Sequence, residues 1–289
     1  MFQKERVFIT ECPRDAMQGI HDFIPTSLKI SYLNTLLEVG FDRLDFGSFV
    51  SPKAIPQLRD TAEVLAGLHL NPATKLLAIV ANSRGAADAS KHAPVSILGF
   101  PFSVSETFQM RNTNKSIAAS FDTVMEIVDI AASSGKEPLV YISMAFGNPY
   151  GDTWNAAAVT EWIGKLKEAG ISKIALADTV GIATPEEVGY LTSAVIKAFP
   201  DLEIGAHLHC HPANWRAKAD AAFQAGCRHF DAAIKGFGGC PMAGDNLTGN
   251  LATENLIQYL SEKNVETSVN TEKFNKALNA SNDVFLVHH

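Results

Sequence analysis

Short apolar runs recur along this chain, each followed by a segment with the spacing of an amphipathic helix, and the alternation repeats eight times. The runs are Arg6–Glu11, Arg43–Phe49, Lys75–Ala81, Pro94–Phe100, Pro138–Met144, Lys173–Ala177, Glu203–His209 and His229–Ile234. Between them Ile117, Phe121, Val124, Val128 and Ala131 step by four or three along one helical face, as do Val159, Trp162, Ile163 and Leu166. Thr184-Pro185-Glu186-Glu187 opens a helix with a cap residue, a proline at the first position and early acids. Gly40, Gly135 and Gly170 close helices just before the next run. A strand followed by a helix returns each strand in the same direction, so the pattern demands a parallel sheet. Eight repeats in roughly 235 residues match a closed (β/α)8 barrel. The same alternation serves a doubly wound open sheet, but the count of eight and the lack of a GxGxxG turn after the first run favour closure. The expectation is an α/β (β/α)8 barrel forming one domain over residues 1–289, with helices in 250–280 packed on its outside.

Composition narrows the function classes. A formal net charge of -7 argues against a nucleic-acid partner, and no basic run suggests a membrane surface. No stretch approaches the ~20 apolar residues that span a bilayer, and Met1 to Arg6 lacks the apolar core of a signal peptide. Cys12, Cys210, Cys227 and Cys240 form no CxxC pair and read as free thiols, which fits a cytoplasmic protein.

In such barrels chemistry gathers where strands end, and polar groups cluster at those positions here. The first run leads into Arg14 and Asp15, the second holds Asp45, the sixth ends at Asp178, and the seventh at His209-Cys210-His211. Residues two apart on a strand share a face, so His209 and His211 are expected side by side. With Asp15 they offer one oxygen and two nitrogens, a set suited to Mg2+, Mn2+, Fe2+ or Zn2+ in an open site. Arg14 beside Asp15 is placed to hold a carboxylate or a developing enolate, or else simply to pair with an acid. His207 shares the face but lies deeper, and is read as an interior or supporting residue. Cys240 falls in a glycine-rich segment able to act as a lid, where a thiol serves as acid or base or merely packs. Asn250 offers a carbonyl oxygen to the metal or is an ordinary turn residue.

Glu11-Cys12-Pro13-Arg14-Asp15-Ala16-Met17-Gln18 resembles the R-D-x-x-Q opening of the DRE-TIM metallolyases. Ser48 to Gln57 is similar to the segment after strand two in the hydroxymethylglutaryl-CoA lyase family, and Ala177 to Gly181, the histidine pair, Gly236 to Pro241 and Gly249 to Glu254 follow in that family's order. The resemblance implies ligation of a divalent metal, Mg2+ or Mn2+, by Asp15, His209, His211 and Asn250. It implies that Arg14 steadies the enolate, that Asp15 and His209 lie near the proton transfers, that Cys240 is the lid acid/base and that Asp178 supports the site. The reaction implied is cleavage of an acyl-CoA, 3-hydroxy-3-methylglutaryl-CoA, into acetyl-CoA and acetoacetate, by a homodimer. Asp45 stands where the family has Glu, and Pro212-Ala213 where it has Asp-Thr after the histidine pair. Two rivals remain at this level: an aldolase or acyl-transferring synthase acting on 2-oxo acids, and a barrel that binds a metabolite without turning it over.

Overall fold

The computed structural model describes residues 5–239 and 248–285; Cys240 and the rest of the expected lid up to Leu247 lie outside the described residues. The strands are β1 (Phe8–Glu11), β2 (Arg43–Ser48), β3 (Lys75–Ile79), β4 (Val95–Ser103), β5 (Glu137–Ser143), β6 (Lys173–Asp178), β7 (Glu203–Leu208) and β8 (His229–Ala232). They pair in sequence order, all parallel, and β8 returns to β1 to close the barrel. The expected (β/α)8 architecture is the observed one.

Helix ends follow the local chemistry read from the sequence. Thr184 and Glu187 form a reciprocal capping box with Pro185 in the first turn. Gly40, Gly135 and Gly170 adopt φ of 84°, 67° and 98°, which a side chain at these stops would resist.

Outward strand residues such as Leu76, Leu98, Val140 and Leu176 join one large core with the helical stripes. Inside the barrel the lumen has two chemically distinct halves. Leu77, Ile79, Ile97, Leu139, Tyr141 and Ala175, from β3 to β6, form a separate apolar cluster. Gly99 makes that cluster possible, because a Cβ there would come within 2.7 Å of Ile79 Cδ1. The other half, from β1, β2, β7 and β8, carries buried Asp45, His207 and Asp231.

The bottom of the barrel is closed by charge. Arg43 reaches Glu203 at 2.6 Å, Lys173 reaches Glu203 at 3.2 Å and Glu137 at 3.5 Å, and Lys75 pairs with Glu137 at 2.5 Å. These residues open their strands, so the network lies at the face opposite the strand ends that build a site.

Two C-terminal helices, Thr253–Glu262 and Thr271–Phe285, follow β8. The second packs on the helix Thr26–Val39, with Phe285 edge-on to Tyr32 at 5.8 Å between centroids. Among the described residues no helix is long and apolar enough to cross a membrane.

Candidate active site

At the C-terminal mouth β1 passes almost directly into the short helix Pro13–Gln18, with Pro13 in its first turn. Arg14 and Asp15 are therefore set in the first helical turn over the lumen, and both are buried. The Arg14 guanidinium grips Asp45 through Nε at 3.0 Å and a second nitrogen at 2.7 Å. Its remaining nitrogen donates to Asp15 at 3.2 Å and to Gln18 Oε1 at 2.8 Å. Gln18, one helical turn on, donates to the same Asp15 oxygen at 2.8 Å, so the carboxylate is held from two sides.

The imidazoles that face Asp15 are His207 and His209. One ligand atom from each of Asp15, His207 and His209 lies within 4.8 Å of the others, and the two Nε2 atoms are 3.3 Å apart. The expected partner His211 is exposed and takes no part in this cluster. The reason is where the strand stops. β7 ends at Leu208, and beyond it His211 N bonds Asn214 Oδ1 at 2.9 Å in a turn, so two-residue alternation no longer sets direction. Alternation does hold between His207, inside β7, and His209, just past it. The two residues after the working pair are thus Cys210 and His211, and Pro212-Ala213 lies further off in the turn.

His207 is oriented by its cross-strand neighbour on β8. Asp231 pairs in register with His207, and its Oδ2 lies 3.1 Å from His207 Nδ1. With the proton on Nδ1 shared toward that carboxylate, the Nε2 lone pair is turned to the cavity, which is how ligating histidines are commonly held. Burial pulls His207 down, but the bond to Asp231 and the charges of Asp231 and Asp15 win and raise it. Burial and the neighbouring His207 lower His209 to about 4, so it is neutral at ordinary pH. Asp15 falls to about 2: burial opposes ionisation, and Arg14, the two imidazoles and Asn250 overcome it. Asp45 is instead raised to about 6, burial outweighing Arg14.

These groups fit a divalent cation. Two imidazole nitrogens and a carboxylate converge, although two neutral nitrogens pointed at each other at 3.3 Å repel unless a proton or a cation lies between them. Asp15, Asp45 and Asp231 also set three buried carboxylates against the single guanidinium of Arg14, an excess that a doubly charged ion balances.

Other expected residues take different positions. Asn250 is carried to the mouth by a bridge to His209, and its amide nitrogen donates to Asp15 Oδ2 at 2.7 Å and Phe237 O at 2.9 Å. Gly238 permits that approach, since a Cβ there would meet Asn250 Nδ2 at 2.6 Å. Asp45 stands behind Arg14 and is not in the cavity wall. Asp178, expected as an active-site carboxylate, also lies off the cavity. It pairs with Lys218 at 2.7 Å, both side chains all but fully buried. The same ammonium donates to Gly181 O at 2.9 Å and His209 O at 3.2 Å, tying the end of β6 to the end of β7. Cys240 lies outside the described residues.

A cavity of about 340 Å3 stands over the cluster, lined on one side by Arg14, Asp15, His207 and His209. Sequence reasoning passed over His207 as a ligand, though its two-residue spacing from His209 was the signal. It missed Asp231 and Lys218 altogether, and these carry no local motif.

A closed (β/α)8 barrel with an acid, two imidazoles and an arginine converging at its C-terminal mouth is the framework of a barrel enzyme with a candidate divalent-metal site. The family model described as HMGL-like matches residues 7–280. The chain belongs to this HMGL-like family, whose members here are carbon–carbon lyases. It is 35% identical over 280 residues to the mitochondrial hydroxymethylglutaryl-CoA lyase of Bos taurus, covering 96% of this chain and 84% of that protein. To the cytoplasmic 3-hydroxy-3-methylglutaryl-CoA lyase of Homo sapiens it is 34% identical, covering 92% and 71%. Among solved structures, an HMG-CoA lyase from Acinetobacter baumannii in complex with coenzyme A and 3-methylmalate superposes with a TM-score of 0.89 at 30% identity, over 96% of this chain and 91% of that one.

Proposed function

We propose that this enzyme, acting as one catalytic domain, cleaves 3-hydroxy-3-methylglutaryl-CoA to acetyl-CoA and acetoacetate. The observation that carries the reading is the convergence of Asp15, His207 and His209 within 4.8 Å beside Arg14, at the mouth of a barrel of lyase ancestry. Asp15 and the Nε2 atoms of His207 and His209 would hold Mg2+ or Mn2+, with Asn250, bonded to Asp15, the further oxygen donor the resemblance implies. When bound, such an ion lowers the pKa of a coordinated hydroxyl and steadies a carboxylate beside it.

Every remaining step falls to the protein and the substrate. The C3 hydroxyl gives up its proton, along a path we assign to Asp15 and His209, both in the cavity wall. The C2–C3 bond breaks as the C3 carbonyl forms, and its electron pair moves into the thioester enolate. The Arg14 guanidinium lines the cavity, held by Asp45, and we assign it to face the negative charge that develops there. A proton then goes to C2; we assign its delivery to the Cys240 thiol. Asp178 is assigned no contact with substrate; through Lys218 it holds the His209 backbone.

Unpaired Cys12, Cys210 and Cys227 agree with a reducing, cytoplasmic setting, and sedimentation checks the homodimer expected from the resemblance. The test of function is a product assay. Purified protein with Mn2+ or Mg2+ and hydroxymethylglutaryl-CoA should release acetoacetate and acetyl-CoA in equal amounts, and chelation should abolish it. Release only from a 2-oxo acid with an aldehyde or acetyl-CoA would replace this reading with the aldolase or synthase.

A further inference from the structure

Two groups of three potential metal ligands occur among the described residues, and His207 belongs to both. The second group is Cys12, His207 and Asp231, one ligand atom of each lying within 4.8 Å of the others. Closure of the barrel brings them together. Cys12 directly follows β1, whose Thr10 pairs in register with Asp231 on β8, and Asp231 pairs in register with His207 on β7. All three are buried, and the Cys12 thiol makes a long, weak bond to Thr10 O at 3.6 Å. Two ligands about 2.0–2.1 Å from a tetrahedral ion lie about 3.4 Å apart. Asp231 Oδ2 is already 3.1 Å from His207 Nδ1.

The two groups differ in kind. Asp15, His207 and His209 offer oxygen and nitrogen, whereas a sulfur beside an imidazole and a carboxylate selects Zn2+ or its heavier relative Cd2+. The two groups also compete for one ring. A neutral imidazole has a single lone pair, so an ion on Nδ1 moves the ring proton to Nε2. That atom then presents N–H, not a lone pair, to Asp15 and His209. We propose that Cys12, Asp231 and His207 Nδ1 form a second cation site for a thiol-seeking divalent ion, whose binding excludes Mg2+ or Mn2+ from the Asp15 site. The site stands on its own three side chains; the exclusion rests on the metal assigned in the lyase reading. The step balances: the ion takes the place of the thiol proton, which leaves to solvent, and the imidazole proton changes nitrogen. Burial and the charges of Asp231, Asp45 and Asp15 keep the proton on Cys12 when no ion is present. Those carboxylates, costly beside a bare thiolate, attract a cation.

The experiment titrates metal-free, full-length protein with Cd2+, read by sulfur-to-cadmium charge-transfer absorption, and in parallel with Mn2+ by calorimetry. Cys12→Ser should lose the Cd2+ band that Cys240→Ser keeps. Its Cd2+ affinity should fall more than about 100-fold while Mn2+ affinity stays within about threefold, a split that a merely structural loss would not give. Cys12→Ala repeats the test without a buried hydroxyl, and circular dichroism confirms that each variant is folded. His209→Ala should do the reverse, weakening Mn2+ and sparing Cd2+. In the parent, each ion should raise the apparent Kd of the other. A full Cd2+ band in both Cys12 variants, no band in the parent, or lost Cd2+ affinity in His209→Ala overturns the site. Binding of both ions without competition overturns the shared ring. None of these readouts needs turnover, so a failed product assay would strike the lyase reading and leave this site standing.

Discussion

His207 Nε2 and His209 Nε2 lie 3.3 Å apart at the end of β7, at the mouth of the barrel, with the Asp15 carboxylate beside them. His211, two residues further on, points elsewhere because the chain has already turned. Removing one imidazole of the facing pair deletes a donor, whereas removing the exposed one deletes nothing from the site. His207→Ala should weaken Mn2+ binding by more than about 100-fold, since losing a ligand outweighs the 10–100-fold of a supporting group. His211→Ala should stay within about threefold of the parent. Calorimetric titration of metal-free protein checks both, and a large loss in His211→Ala would restore the histidine pair expected from the sequence.

Asp231 bears on the candidate metal site through its bond to His207. Replacing it with Asn leaves the ring packed but weakens its orientation and basicity. Asp231→Asn should lower metal affinity about 10–100-fold while thermal stability changes little. A variant with unchanged affinity would show that His207 is held by packing alone, for example by the edge-on ring of Tyr141 at 5.6 Å.

Lys218 and Asp178 form a buried ion pair, at 0% and 1% exposure. Burial raises Asp178 even so, Lys218 opposing it. Taking away one member leaves the other charged and dry, at a cost of about 3–5 kcal/mol. Lys218→Met should lose that much in urea denaturation, and Lys218→Met with Asp178→Leu should recover a good part of it. An equal loss in the double variant would mean the carbonyls of Gly181 and His209, not the acid, are what the ammonium serves.

Glu11 sets a pH dependence. It is fully buried, accepts from Thr253 Oγ1 at 2.6 Å and Ile234 N at 2.9 Å, and burial raises its pKa to about 8 against these bonds. The unfolded chain ionises this group near 4.5. Between 4.5 and about 8 the folded protein keeps a proton that the unfolded chain has lost. Its stabilising contribution is therefore complete below 4.5, falls by about 1.4 kcal/mol per pH unit in the window, and levels off above it. Glu11→Gln keeps the neutral shape and should flatten that slope, with a gain at pH 8. Parallel slopes in parent and variant would place the proton elsewhere.

Cys240 is assigned a role in proton delivery rather than in metal binding. Cys240→Ser should cut kcat about 100-fold or more, with metal affinity and KM nearly unchanged. An unaltered kcat would remove the thiol from the reaction.

The fold was legible because its signals are local and repeated. Thr184 with Glu187, or Gly135 after the stripe from Ile117, states where a helix starts or stops without reference to the rest of the chain. Arg14 and Asp15 were legible in the same way, since they follow directly from the end of β1. The histidine pair was displaced by one step because strand alternation was carried past Leu208, and a sequence pattern does not mark the residue at which a strand stops obeying it. Asp45 was visible as an acid on β2, but its retreat behind Arg14 depends on the reach of one guanidinium across two strand ends.

By itself the sequence determined the eightfold alternation, the charge and apolar patterning, and the acid, arginine and imidazoles that the barrel brings to its mouth. Closure of the barrel decided the rest. It set β8 against β7 and β1, so that Asp231 came to orient His207, and it gathered residues from β3 to β6 into an apolar wall facing the polar cluster. It also buried Lys218, from the helix Trp215–Gln224, between the ends of two strands. These contacts join residues from nine to more than two hundred positions apart. Their energies come from desolvation and distance in space, which no local pattern of residues records.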